Sequence, residues 1–233
     1  MRISTLLRTA LAVGALAATP AAAATVKVVY DPREPFAGAY GSIDYHLDGD
    51  ADSALAGPIA ASGDPLGDFI AWCIEIDTTL KNNKTYRMTS LLSAGAMTDF
   101  ERLFRTAYAG IDLTDPTETV AFQTAVWEIA SDGGGTLDLG DGVFALTTDG
   151  PATPGYDYAA MVATATGYLS GLDGPQTGAY DITYLRKGGT QNLVTAAARP
   201  GGPPAAIPLP AAGWMLAAAL GALIVIRPLG ARR

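Results

Sequence analysis

The 233-residue chain carries 15 basic and 23 acidic residues, one cysteine and one histidine, for a formal charge of -8. Residues 1–24 and 207–233 hold five arginines and no acid, so the stretch between them keeps 10 basic and 23 acidic residues, a charge of -13. Such a body lacks the basic face that nucleic-acid binding requires, a lone cysteine excludes an intramolecular disulfide, and a lone histidine excludes a His-rich zinc site.

The first 24 residues have Arg2 and Arg8, an apolar run over residues 10–18, and small residues ending at Ala21-Ala22-Ala23-Ala24. That three-part pattern predicts a signal peptide whose helix is too short to span a membrane, with cleavage at Ala23 or Ala24 and a mature chain from Thr25. Export places the mature body outside the inner membrane. Its acidity then serves solubility in an envelope setting more simply than it serves a ligand.

Residues 25–198 suit one globular domain. Residues 26–30 and 39–47 alternate like strands, with His46 on a strand surface between Tyr45 and Leu47. Residues 51–67, rich in Gly, Pro and Ala, are expected as a loop. Asp48-Gly49-Asp50-Ala51-Asp52 has the opening spacing of a calcium loop, but Ser53 stands where glycine is needed and Ile59 where the closing glutamate is needed, so an acidic turn is the expectation.

Residues 69–77 predict a strand with Ile70, Trp72, Ile74 and Ile76 on one face and Phe69, Ala71, Cys73, Glu75 and Asp77 on the other. Cys73 thus lies off the purely apolar face, as a buried thiol, an intermolecular link or a reactive centre. A turn at Lys81-Asn82-Asn83 returns the chain as a strand over residues 85–88. Residues 97–108 have helical spacing, with Thr98 as N-cap.

Asp115-Pro116-Thr117-Glu118 is a strong helix start: Asp115 caps, Pro116 takes the first position and Glu118 completes a capping box. The helix over residues 119–130 has almost no polar face, so it is expected to be buried. Gln123 sits inside it, and a buried carboxamide without partners costs about 1–3 kcal/mol, so the plain expectation is a satisfied helix glutamine that bonds to backbone. Asp132-Gly133-Gly134-Gly135 and residues 138–142 lack the Lys-Ser/Thr of a phosphate loop and are expected as turns. No cofactor motif is present.

A strand at residues 143–147, a helix at 156–172 and a hairpin from 179–186 and 191–197 complete the body. Residues 199–206 form a Pro/Gly linker. The expected class is α+β: an antiparallel sheet or sandwich with a helical insertion that carries Gln123, plus the signal helix and a C-terminal transmembrane helix.

Residues 207–233 open with Ile207-Pro208-Leu209-Pro210-Ala211, continue with Ala212-Gly213-Trp214 in an apolar run to residue 226, and end with Arg227, Arg232 and Arg233. At about 1.5 Å per residue, motif and run together barely span a hydrocarbon core of about 30 Å. The arginines keep the C-terminus cytoplasmic. This tail resembles the PEP-CTERM family of bacterial sorting signals in its Val-Pro-Leu-Pro-Ala variant (VPLPA-CTERM), with Ile207 in place of Val and Pro228-Leu229-Gly230 splitting the basic cluster. The resemblance implies processing at Pro208, Leu209, Pro210 and Ala211 by an exosortase-type enzyme, then display at the cell surface or in an exopolysaccharide matrix.

A second resemblance covers residues 69–129. Trp72-Cys73-Ile74-Glu75 and Gln123-Thr124-Ala125-Val126-Trp127 are similar to the thioester domain of bacterial surface adhesins, in which a cysteine bonds to the glutamine of a Thr-Gln-x-Ala-Ile-Trp motif. It implies a Cys73–Gln123 thioester supported by Trp72 and Trp127, with Phe122 replacing the family's threonine and Val126 its isoleucine. The function expected is structural or adhesive, not enzymatic, with a surface amine or polysaccharide as ligand. The alternative is an anchored hydrolase of envelope glycans using Glu75, Asp77 or Glu128.

Overall fold

Among the described residues, strands with small or apolar residues at alternate positions pack around one buried helix. The computed structural model describes residues 23–152, 155–175 and 178–199. In chain order its elements are β1 Thr25–Val28, β2 Gly41–Leu47, β3 Asp50–Ala56, β4 Ile59–Gly63, β5 Gly67–Cys73 and β6 Lys84–Met88. There follow α1 Ala94–Thr106, a 3-10 turn Tyr108–Gly110, α2 Pro116–Asp132, β7 Phe144–Leu146, α3 Tyr158–Ser170, β8 Tyr180–Arg186 and β9 Leu193–Ala198. The class is α+β with antiparallel sheets.

The larger sheet has the order β1-β6-β8-β9-β5-β4. Its two edges meet, because Val29 and Ser62 exchange backbone hydrogen bonds of 2.9 and 2.8 Å. The six strands therefore curl into a small barrel without an open edge at that point. Gly63 permits the closure: a Cβ there would lie 2.5 Å from the Lys27 carbonyl oxygen.

Strand alternation and register define the barrel interior. Val26 faces Tyr86; Met88 faces Leu185, Leu185 faces Leu193 and Leu193 faces Cys73; Ala71 faces Ile59 and Thr195. Intervening residues point to the helices: the Trp72 ring packs on Phe122 at 4.6 Å and Tyr184 on Phe100 at 5.9 Å.

The second sheet, β3-β2-β7, lies across α2, which packs against β5 on one side and β2, β3 and β7 on the other. The body is thus not a sandwich of two sheets in direct contact, since the expected helical insertion separates them. Every α2 residue from Thr119 to Ile129 is buried.

Several expectations require correction. Residues 51–67 hold most of β3 and all of β4, because Ala56, Ile59 and Ala61 fill buried positions on them. Asp48 (φ 52°) and Gly49 (φ 87°) form the two-residue hairpin turn joining β2 to β3, so the acidic stretch is part turn and part strand. β5 ends at Cys73 and does not reach Asp77; β6 pairs with β1 and β8, not with β5. α1 starts at Ala94, four residues before Thr98, and Ser93 caps it. Asp115 caps α2 as expected, but the Glu118 carboxylate accepts from Asp112 N at 2.7 Å, so no capping box closes.

Candidate functional site

A residue in a strand aims its N–H and C=O at the same edge, and those of Cys73 face away from β9. On that edge β4 pairs with β5 only up to Ile59 opposite Ala71, and Pro58 ends the ladder. Cys73 therefore has two main-chain groups with no strand to meet them. Gln123 on α2 supplies the partner: Cys73 N donates to Gln123 Oε1 at 3.0 Å, and Gln123 Nε2 donates to Cys73 O at 2.8 Å.

One carboxamide thus completes the ladder that a strand residue would otherwise complete, and its own burial is satisfied in the same two bonds. They also set its carbonyl carbon beside the residue that carries the thiol. Gln123 is 1% exposed and Cys73 7%.

The Cys73 side chain points into the barrel interior between Leu193 and the Ala71 row. The expectation that it lies on a half-polar face is corrected, because Glu75 and Asp77 fall beyond the strand end. Burial, and secondarily the Glu75 carboxylate, push the thiol up to about 12, so it is protonated at neutral pH. Tyr30 and Tyr86 are close enough that the thiolate charge adds to the burial that raises their hydroxyls.

Glu75 fixes the turn after Cys73. Its carboxylate accepts from Asn192 N at 2.5 Å and from Asn192 Nδ2, while its carbonyl accepts from Gln191 Nε2. Ile74 N donates to Asn192 O at 3.0 Å. No local pattern predicts this clamp between residues 75 and 191–192, and only the polarity of Gln191-Asn192 at the hairpin start hints at it.

Trp72 and Trp127, the expected supporting residues, are both buried, and among the described residues the indole N–H of each has no hydrogen-bond acceptor. Trp72 packs on Phe122, which also meets Phe104 at 5.3 Å, Tyr108 at 5.7 Å and Tyr168 at 6.0 Å. Phe122 thus anchors an aromatic cluster around the residues that precede Cys73 and Gln123.

The carboxylates of the hydrolase alternative are dispersed. Glu75 is engaged by Asn192, Asp77 lies in a turn, and Glu128 is fully buried on α2 with its Oε1 accepting from Asp138 N at 2.7 Å. His46 is exposed on β2. Among the described residues no group of three or more His, Cys, Asp or Glu side chains is placed to hold a metal.

At the N-terminal boundary, Ala24 O accepts from Met88 N at 2.8 Å, extending the β1–β6 ladder. Arg199, expected in the linker, belongs to the body: its N–H donates to Ala179 O at 2.8 Å and its guanidinium pairs with Asp181 at 2.8 Å. Residues 1–22 of the expected signal peptide, residues 200–206 and the expected sorting tail with Pro208, Leu209, Pro210 and Ala211 lie outside the described residues. Among the described residues no helix is long and apolar enough to cross a membrane. Comparison with family models, curated proteins and solved structures gives no match.

Proposed function

We propose that this is an exported bacterial envelope protein with a structural or adhesive role, able to attach covalently through a Cys73–Gln123 thioester. The observation that carries the reading is the pair of hydrogen bonds between the Gln123 carboxamide and the Cys73 backbone. Fixed proximity replaces an improbable encounter in solution.

In the bond-forming step Cys73 Sγ attacks the Gln123 carbonyl carbon, the C–N bond breaks, and the thiol proton leaves with the nitrogen as ammonia. Cys73 N–H already points at the oxygen on which negative charge develops, acting as a single oxyanion donor. The high thiol pKa makes this step slow, which suits a bond made once per molecule. An amine on a host or matrix surface then attacks the acyl carbon, forms an amide and returns the thiol. No turnover is involved.

In this reading the tail carries the address. The C-terminal helix holds the protein in the inner membrane with the body on the extracytoplasmic side, and an exosortase-type enzyme processes residues 208–211 before display at the surface or in a polysaccharide matrix. A hydrolase is less well supported, because fully buried Glu128 offers no carboxylate to a polysaccharide chain.

The test is incubation of the purified body with a fluorescent primary amine. Label that survives denaturing electrophoresis in the wild type, and is lost in both Cys73→Ala and Gln123→Ala, is expected. Wild-type protein that takes up no label contradicts covalent attachment.

A further inference from the structure

A cavity of about 1060 Å³ opens between β4, β5, β9 and the chain that follows β1. Its lining includes Ala61, Phe69, Thr183 and Thr195, with Ile70 and Ala196 from the opposite sheet face, and stops short of Ala71 and Cys73. Register puts the first four on the inward face of the barrel: Ala61 opposite Phe69, Thr195 opposite Ala71, and Thr183 opposite Thr195. Phe69, Ala71 and Cys73 alternate along that face, so the Thr195 wall is one inward row, about 7 Å, from the row that holds Cys73.

Other neighbours of Cys73 belong to the packed core. Leu193, Leu185 and Tyr86 are fully buried, Tyr86 OH donates to Gln191 O at 3.0 Å, and Gln123 of α2 is bonded to the Cys73 backbone. Tyr30 stands in the cavity wall near Cys73, half-buried, and is held by its hydroxyl donating to Leu80 O at 3.2 Å. At the mouth lie exposed Asp31 and Asp68, while Lys27 and Arg33 are not among the lining residues.

We propose that this cavity is the path by which reagents reach Cys73, gated by Tyr30 and with Asp31 and Asp68 favouring cations over anions at its mouth. The inference rests on the reading of Cys73 and Gln123 as a reactive pair only for the identity of the acceptor that uses the path. The route itself is tested whether or not the thioester forms.

If the thiol is free, its thiolate attacks a methanethiosulfonate, forming a mixed disulfide and expelling methanesulfinate. The experiment compares neutral methyl, cationic trimethylammonium-ethyl and anionic sulfonatoethyl methanethiosulfonates on the full body at one pH, with Cys73→Ser as blank. The cationic reagent is expected to react about tenfold faster than the anionic one at low salt. Asp31→Asn with Asp68→Asn should remove that ratio.

Exposed Ala197, another lining residue, provides a plug. Ala197→Trp should slow all three reagents about tenfold while Tm is kept, and Tyr30→Phe, which removes the tie to Leu80, should quicken them. If the thiol is already acylated, methylamine uptake followed by mass replaces the thiol reagents, with the same slowing by Ala197→Trp. An unchanged rate in Ala197→Trp, or a rate equal to global unfolding whatever the reagent's charge, overturns the path. A full mass with charge-selective thiol labelling instead overturns the thioester and leaves the path standing.

Discussion

Gln123 and Glu128 lie on the same buried helix, and their surroundings treat them in opposite ways. The Gln123 carboxamide both donates and accepts, and it meets the Cys73 N–H and C=O, which need one of each. Glu128 has only acceptors when charged; Oε1 receives the Asp138 N–H, and Oε2 is buried without a partner among the described residues. Burial above all pushes Glu128 up to about 7; the Asp138 N–H bond opposes this, and the Asp132 and Asp138 charges add to it. A neutral amide completes a strand edge, whereas a carboxylate at a similar depth becomes a titrating liability.

Removing the satisfied group should have the largest effect. Gln123→Ala strands both Cys73 backbone groups and leaves a void, and a loss of about 3 kcal/mol is expected in urea unfolding. Gln123→Glu sharpens the point. Its carboxylate suits the Cys73 N–H but opposes the C=O, so this variant should be weak at pH 8 and recover as acid protonates it.

Replacing the liability should act in the other direction. The folded pKa of Glu128 lies above its ordinary value of 4.5, so the folded state holds the extra proton between about pH 4.5 and 7, and stability falls as pH rises through that window. Glu128→Gln should leave stability unchanged at pH 4 and raise it by about 2–3 kcal/mol at pH 8. Equal effects at both pH values would contradict the assignment.

Two smaller changes test the ends of the frame. Asp115→Ala removes the cap whose side chain accepts from Thr117 N at 2.8 Å, and about 1 kcal/mol should be lost, with the helix that holds Gln123 bearing the cost. A body that begins at Thr25 lacks the Ala24 carbonyl that Met88 N uses, and it should be about 0.5–1 kcal/mol less stable than one that begins at Ala24. Cleavage after Ala23 keeps that bond.

The parts legible in the sequence are those set by local chemistry. Asp115-Pro116 fixes the start of α2, the apolar run fixes its burial, and the closing hairpin follows from Lys187-Gly188-Gly189-Thr190 between two alternating segments. β3 and β4 are hidden because their inward residues are mostly alanines, which give alternation little contrast. Asp48-Gly49 is a strong two-residue hairpin signal, and the spacing of the aspartates around it imitates the opening of a calcium loop.

At the site, the resemblance to a thioester domain points to Cys73 and Gln123, and burial demands a partner for the amide. That the partner is the cysteine's own backbone depends on β4 ending at Ile59, a long-range register that no local pattern contains. The Glu75–Asn192 clamp is hidden for the same reason, since its two sides are more than 100 residues apart.

The most direct test is the intact mass of the purified body, from the mature N-terminus to residue 206, before and after methylamine. A mass one ammonia below that of the sequence, rising by one methylamine on treatment, with neither change in Cys73→Ala, is the result expected of a Cys73–Gln123 thioester. A full mass with Cys73 open to alkylation would contradict it, leaving Gln123 as the side chain that completes the edge of β5.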